Sequence, residues 1–303
     1  SDNVRVQYQA LQLIGSLCCA NTVESEEGAK SDCPVLVREN YAAQILESVA
    51  RHVSSPCTKV AAHACLAIVS YCRGGNGSND CLVTIDKDLV LPYVGTLLES
   101  LKTGPLSVDL SQPSSINEGT VTVLIRAIGA VACLANASGP AFLPHYSIMS
   151  GLTSCATFGV EIAGQTVTVS KNGHEMSMLR GSAIEAATIV GQAISGEDGE
   201  NVGTYVNDAG HIMTIASTVL NSGISDIIPM DQLLAACARI AAVMEGQYVQ
   251  YMPSVLPHLL NKATEKLDVS VTDADESNSS VEEEDGFEGY SVSVPGMGRK
   301  KIR

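Results

Sequence analysis

The residues in this chain best suited to chemistry are acids. Nine of them, Asp268, Asp273, Asp275, Glu276, Glu282, Glu283, Glu284, Asp285 and Glu288, fall within 21 residues. Carboxylates packed this densely repel one another and stay solvated. The Ser and Asn residues between them offer no apolar face to bury, so the run reads as an acidic loop without regular structure. What it can do is attract cations, since a field of one sign draws a lysine-rich partner over distance. Its spacing does not match the calcium-loop pattern, so no metal is expected. Directly after it, Arg299, Lys300, Lys301 and Arg303 form a basic strip. That strip has the composition of a localisation patch, and the reading preferred here is a surface strip that pairs with the preceding acids.

The remaining reactive side chains do not converge. His52, His63, His145, His174, His211 and His258 are scattered with no i, i+4 partner, which leaves no metal pair and no acid–base pair. The ten cysteines include no C-x-x-C pair, and Cys18, Cys19, Cys65, Cys72, Cys133, Cys155 and Cys237 lie in apolar stretches of helical character. They read as reduced core thiols of a cytosolic or nuclear protein. The glycine-rich stretch from Arg73 to Ser78 lacks the Gly-Lys-Ser/Thr ending of a phosphate loop, and Gly151-Leu152-Thr153-Ser154-Cys155 does not make a nucleophile elbow. No catalytic residue, metal ligand or cofactor is therefore assigned, and the chain reads as a non-enzyme.

Bulk composition narrows the partner. The net charge is -15, with 33 acids against 18 Lys and Arg, which disfavours a phosphate backbone and so direct nucleic-acid binding. No run of about 18 uninterrupted apolar residues suggests a membrane span. Apolar residues make up 45% of the sequence but aromatics only 4%, so the core must be built from Ala, Val, Leu and Ile, which suits closely spaced helices.

The elements that would carry these residues repeat. Small-apolar helices recur at Arg5–Gly15, Lys59–Val69, Arg126–Ala132, Arg180–Gly191 and Ala235–Val243. Taking Gly15, Val69, Gly129, Gly191 and Met244 as equivalent gives steps of 54, 60, 62 and 53 residues. Second helices lie between them. Three are announced by Pro92, Pro144 and Pro253, each expected in a first helical turn, where a missing N–H costs nothing. The other two have Tyr41 and Tyr205 near their starts.

Helix pairs with apolar stripes on both faces stack into an all-α superhelix, a HEAT-repeat solenoid of about five pairs. The solenoid is expected over 1–267, with repeats at 1–54, 55–103, 118–160, 176–222 and 229–267, and an acidic and basic tail over 268–303. The segment 160–175 alternates β-branched and polar residues and ends in Asn172-Gly173, so it is either an inserted hairpin or a loop.

Several segments resemble the importin-β (karyopherin-β) family, in particular its importin beta-3 or importin-5 branch. They are Met178-Leu179-Arg180-Gly181 leading to Ile189–Ile194, Gln247–Leu256, and the acidic Glu283–Glu288. The resemblance runs along nearly the whole chain. It departs at 104–117 and 160–173, which look like insertions, and at Phe287, where Trp is expected.

The resemblance implies an internal fragment of a longer nuclear import receptor that shuttles between cytoplasm and nucleus. Its implied partners are cargo proteins with basic localisation signals, Ran in its GTP form and Phe-Gly nucleoporins. In that family the second helices hold cargo, which makes Glu47, Glu99, Asn207, Asp208 and Asn261 the candidate cargo contacts. The alternative is another HEAT scaffold organising a multiprotein complex, of the phosphatase-scaffold or assembly-chaperone type.

Overall fold

In the computed structural model the described residues are 3–18, 33–73, 87–110, 116–163, 166–170, 173–196, 199–224 and 226–264, together with the backbone of three short C-terminal strands. The chain divides into two compact units, Ser1–Leu256 and Pro257–Arg303.

The first unit is the expected all-α solenoid. Its first helices are α1 (Val4–Cys18), α3 (Thr58–Cys72), α5 (Glu118–Ser138), α7 (His174–Ser195) and α9 (Met230–Met244). Its second helices are α2 (Cys33–Val53), α4 (Lys87–Thr103), α6 (Met149–Ala156), α8 (Val202–Asn221) and α10 (Met252–Thr264). Ten residues of 3₁₀ helix, Gly139–Ile148, lead into α6, and seven more, Glu245–Tyr251, lead into α10, which ends in the second unit.

The first helices form a continuous spine, α1 on α3, α3 on α5, α5 on α7 and α7 on α9. Small residues make this possible. Ala127, Ala130 and Ala135 of α5 and Ala183 and Ala187 of α7 are fully buried, so the helix axes approach closely while Leu and Ile fill the remaining space. Asn117 caps α5 by accepting a 2.8 Å hydrogen bond from the Thr120 N–H, which is why that helix starts there. Gly139 ends it at φ 58. The stretch Glu118–Ala156 is long and apolar enough to cross a membrane, but that apolarity is core packing: Val121, Leu124, Ile128 and Leu134 are buried between neighbouring helices.

The structure corrects several local expectations. Pro92 sits inside α4 and Pro144 inside the 3₁₀ segment, not in first turns, so each costs its element an internal hydrogen bond; Pro253 does occupy a first turn. α2 starts at Cys33, well before Tyr41, and Tyr41 marks a kink in it at φ -126, ψ 17.

Residues 160–169 form an antiparallel hairpin, β1 (Val160–Ala163) with β2 (Thr166–Val169). Val167 is buried, and Val160, Ile162 and Val169 lean on the core, while Glu161 and Thr168 face out. The Asn-Gly pair is not the hairpin turn, because Gly173 stands instead at the start of α7 with φ 138.

In the second unit, β3 (Val271–Asp273), β4 (Tyr290–Val294) and β5 (Gly298–Ile302) make a sheet in the order β3-β5-β4. The acidic run was expected to lack regular structure throughout, yet Asp273 lies in a strand, where the register sets it opposite Lys300. Arg299, Lys300 and Lys301 of the basic strip are part of the central strand. Asp275, Glu276, Glu282, Glu283, Glu284 and Asp285 lie outside the described residues.

Candidate functional site

The candidate cargo contacts all fall on second helices. Glu47 on α2, Glu99 on α4, Asn207 on α8 and Asn261 on α10 are exposed. Asn261 belongs to the second unit.

Asp208 is different. It is half-buried, and it accepts a hydrogen bond from the hydroxyl of Tyr146, 62 residues earlier in the 3₁₀ segment of the third repeat. Burial, and then this bond and the Asp208 charge, push the Tyr146 phenol well above its ordinary range, which holds it in the donor form.

This bond is one of a series between consecutive second helices. Ser54, just past α2, donates from Oγ to the Ser100 carbonyl on α4 at 3.3 Å. Lys102 Nζ of α4 donates to Ser147 Oγ at 3.4 Å, beside Tyr146. The Tyr251 hydroxyl lies so near α8 that a Cβ added to Gly210 would sit 3.3 Å from it. His145 shares the third-repeat junction, and burial, then the Lys102 charge, lower its pKa. A cleft of about 610 Å³ opens beside it, lined by Lys102, Leu106, Leu110, Leu124, Ser147 and Leu152. Part of the segment 104–117, read from the sequence as an inserted loop, thus forms a wall of this cleft.

The first-helix layer is held differently. Arg239 Nη2 of α9 bonds Glu185 Oε1 of α7 at 3.2 Å, the two side chains being 26% and 33% exposed, which makes this a modest surface contribution. Arg180 of α7 has no exposure at all. Its Nε donates to the Phe158 carbonyl at 2.8 Å and its Nη1 to the Ile227 carbonyl at 3.0 Å, so it joins the segments before the hairpin and before α9. Burial lowers its pKa to about 10, still charged at neutral pH.

Sequence reasoning placed the acids on second helices but missed Tyr146 and Arg180 as ties. A lone Arg among Ala, Gly and Leu was the only available signal for the second. Among the described residues no three His, Cys, Asp or Glu side chains are placed to hold a metal ion.

No protein-family profile matches the chain. Importin subunit beta-3 of Saccharomyces cerevisiae is 22% identical over 276 residues, which is 90% of this chain and 21% of that protein. The crystal structure of Kap121p bound to Pho4p superposes with a TM-score of 0.68 at 19% identity, over 100% of this chain and 23% of that one. The structure of Kap121p bound to Ste12p gives 0.67 at 19%, again over 100% of this chain and 23% of the other. Kap121p alone gives 0.66 at 20%, over 100% and 24%.

The chain is similar in sequence to an importin of the beta-3 type and shares the fold of the Kap121p solenoid. It spans about a fifth of the length of the curated importin it matches.

Proposed function

We propose that this importin-type segment holds cargo proteins through basic localisation signals, as part of a nuclear transport receptor that shuttles between cytoplasm and nucleus. What supports the reading most is where the acids stand. Glu47, Glu99 and Asp208 sit on three different second helices of a solenoid whose solved relatives are Kap121p complexes with other proteins, among them Pho4p and Ste12p. Carboxylates spread along successive repeats suit an extended peptide that offers a lysine every few residues, each contact charge-assisted and individually weak. A net charge of -15 adds long-range attraction, which sets the rate of encounter more than the strength of the complex.

Regulation by Ran in its GTP form and contact with Phe-Gly nucleoporins belong to the same reading. A Kap121p structure bound to Nup53p is consistent with a nucleoporin partner. The acidic residues from Asp273 to Asp285 would add to the attraction for a basic partner, and the scaffold alternative would need none of these acids.

The test is titration of the chain with a labelled lysine-rich peptide, read by fluorescence anisotropy at two salt concentrations. Binding that weakens as salt rises is expected. Glu47→Lys combined with Glu99→Lys should weaken it roughly tenfold by adding repulsion where there was attraction. Equal affinity for a neutral peptide of the same length would remove the basic-cargo reading. GTP-loaded Ran added to the complex forms a second arm, and failure to displace the peptide would confine the chain to cargo holding.

A further inference from the structure

We propose that the Tyr146–Asp208 hydrogen bond is a latch between the third and fourth repeats, released when a cationic side chain of the partner takes the Asp208 carboxylate. The proposal rests on the basic-cargo reading of the second helices and adds to it how occupancy would change the protein.

The two layers of the first unit differ in how many side-chain hydrogen bonds cross between repeats. The spine of first helices interlocks through fully buried Ala, Leu and Ile, so no small displacement along it is cheap. Between second-helix elements, side-chain hydrogen bonds at exposed or half-buried positions, Ser54 to Ser100, Lys102 to Ser147 and Tyr146 to Asp208, add to apolar packing such as that of Leu46, Val49, Leu97 and Leu98. Each such bond contributes modestly, most where one partner is charged, because water or a ligand can take the place of a lost partner. Movement between repeats is therefore expected to hinge on the spine and open the second-helix side.

The third repeat is the place best prepared for it. Its second element begins as ten residues of 3₁₀ helix, Gly139–Ile148, with Pro144 inside. Such a stretch has poorer internal hydrogen bonding than an α-helix and yields more easily. Tyr146 lies in it, while Asp208 lies on α8, a regular helix of 20 residues.

Asp208 is also half-buried and already accepts a hydrogen bond, whereas Glu47, Glu99 and Asn207 are exposed. It holds the Tyr146 bond through Oδ2, so an ammonium arriving from solvent would compete with Tyr146 for the carboxylate. Tyr205, one turn earlier on α8, has a buried hydroxyl with no hydrogen-bond partner, and the Asp208 charge also reaches it. The carboxylate thus has one observed hydrogen-bond donor, Tyr146, and a second phenol within reach of its charge. A ligand shifts the equilibrium between bonded and released carboxylate only through its different affinity for the two states, and a cation that binds the released carboxylate supplies that difference.

The test combines amide hydrogen exchange with peptide titration on the full 303-residue chain, comparing Tyr146→Phe, Asp208→Asn and the double variant. Each single variant should speed exchange in 139–156 and 202–221 roughly tenfold, the scale of a lost hydrogen bond to a charged group. The double variant should add nothing further, and α5 and α7 should stay as protected as before. Unchanged exchange in Tyr146→Phe would overturn the latch.

In the titration, Tyr146→Phe should bind the lysine-rich peptide several-fold more tightly than the unaltered chain, because the carboxylate is freed in advance. Asp208→Asn should bind it more weakly, with or without Tyr146. Equal or weaker binding by Tyr146→Phe would overturn release by a cation. No peptide binding by any variant would instead remove the basic-cargo reading and the release that rests on it, while the exchange data alone would still decide whether the bond ties the two repeats.

Discussion

Arg180 shows how much one side chain can hold in a fold made of bland residues. Its guanidinium is fully buried and bonds two backbone carbonyls from segments on either side of α7, at Phe158 and Ile227. Arg180→Met keeps much of the volume but leaves those carbonyls without this donor, and each such loss costs about 1–3 kcal/mol. A loss of about 3 kcal/mol in urea unfolding is expected, and a loss under about 0.5 kcal/mol would show that the carbonyls find other donors. Arg180→Lys should recover only part of it, because one ammonium cannot reproduce the planar fork that reaches both oxygens. At this scale the sequence was partly legible. Glu47, Glu99 and Asn207 could be placed on second helices from the repeat alone, and they are exposed there. The partners of Asp208 and Arg180 lie 62, 22 and 47 residues away, and no local pattern encodes a hydrogen bond across that distance.

Among elements, the repeat was legible because small residues at helical spacing can serve only close packing, and the five first helices stand where that pattern recurs. Equivalent positions in the repeat are nevertheless not equivalent in space. Gly129 and Gly191 occupy the same place in successive repeats, yet a Cβ at Gly129 meets nothing within 4 Å, whereas one at Gly191 would lie 2.2 Å from the ring of Tyr205. Tyr205 has no exposure and nowhere to retreat. Gly191→Ala should therefore destabilise by about 1–3 kcal/mol, as overpacking does. Gly129→Ala should stabilise by up to about 1 kcal/mol through helix propensity. Thermal unfolding of the two variants should move in opposite directions, and a shared direction would mean that α8 does not pack on α7 through this glycine. The prolines were less legible: the sequence placed Pro92 in a first turn, but α4 starts earlier, at Lys87, because packing of Val90 and Val94 outweighs the missing hydrogen bond.

For the molecule as a whole, the core chemistry sets a dependence on alkaline pH that composition alone does not reveal. Burial raises the Cys65 thiol to about 12 and those of Cys155 and Cys237 to about 11, from 9.0. It also holds the phenols of Tyr71, Tyr146, Tyr205 and Tyr248 above their ordinary 10.0. For every one of these groups the folded chain keeps a proton that the unfolded chain has released once the pH exceeds about 9 for thiols and 10 for phenols. Fewer protons on the unfolded state means that stability falls as pH rises, by about 1.4 kcal/mol per pH unit for each group between its unfolded and folded values. The melting temperature should thus owe no slope to these groups from pH 6 to 8, then drop from about pH 9 and steepen past 10 as the phenols join. Cys65→Ala removes one such proton, so its alkaline limb should be shallower than that of the unaltered chain even where the cavity lowers stability at neutral pH. A limb of unchanged steepness would show that Cys65 reaches solvent in the folded state, and that the spine between α3 and its neighbours is looser than its buried Val60, Ala64 and Ile68 indicate.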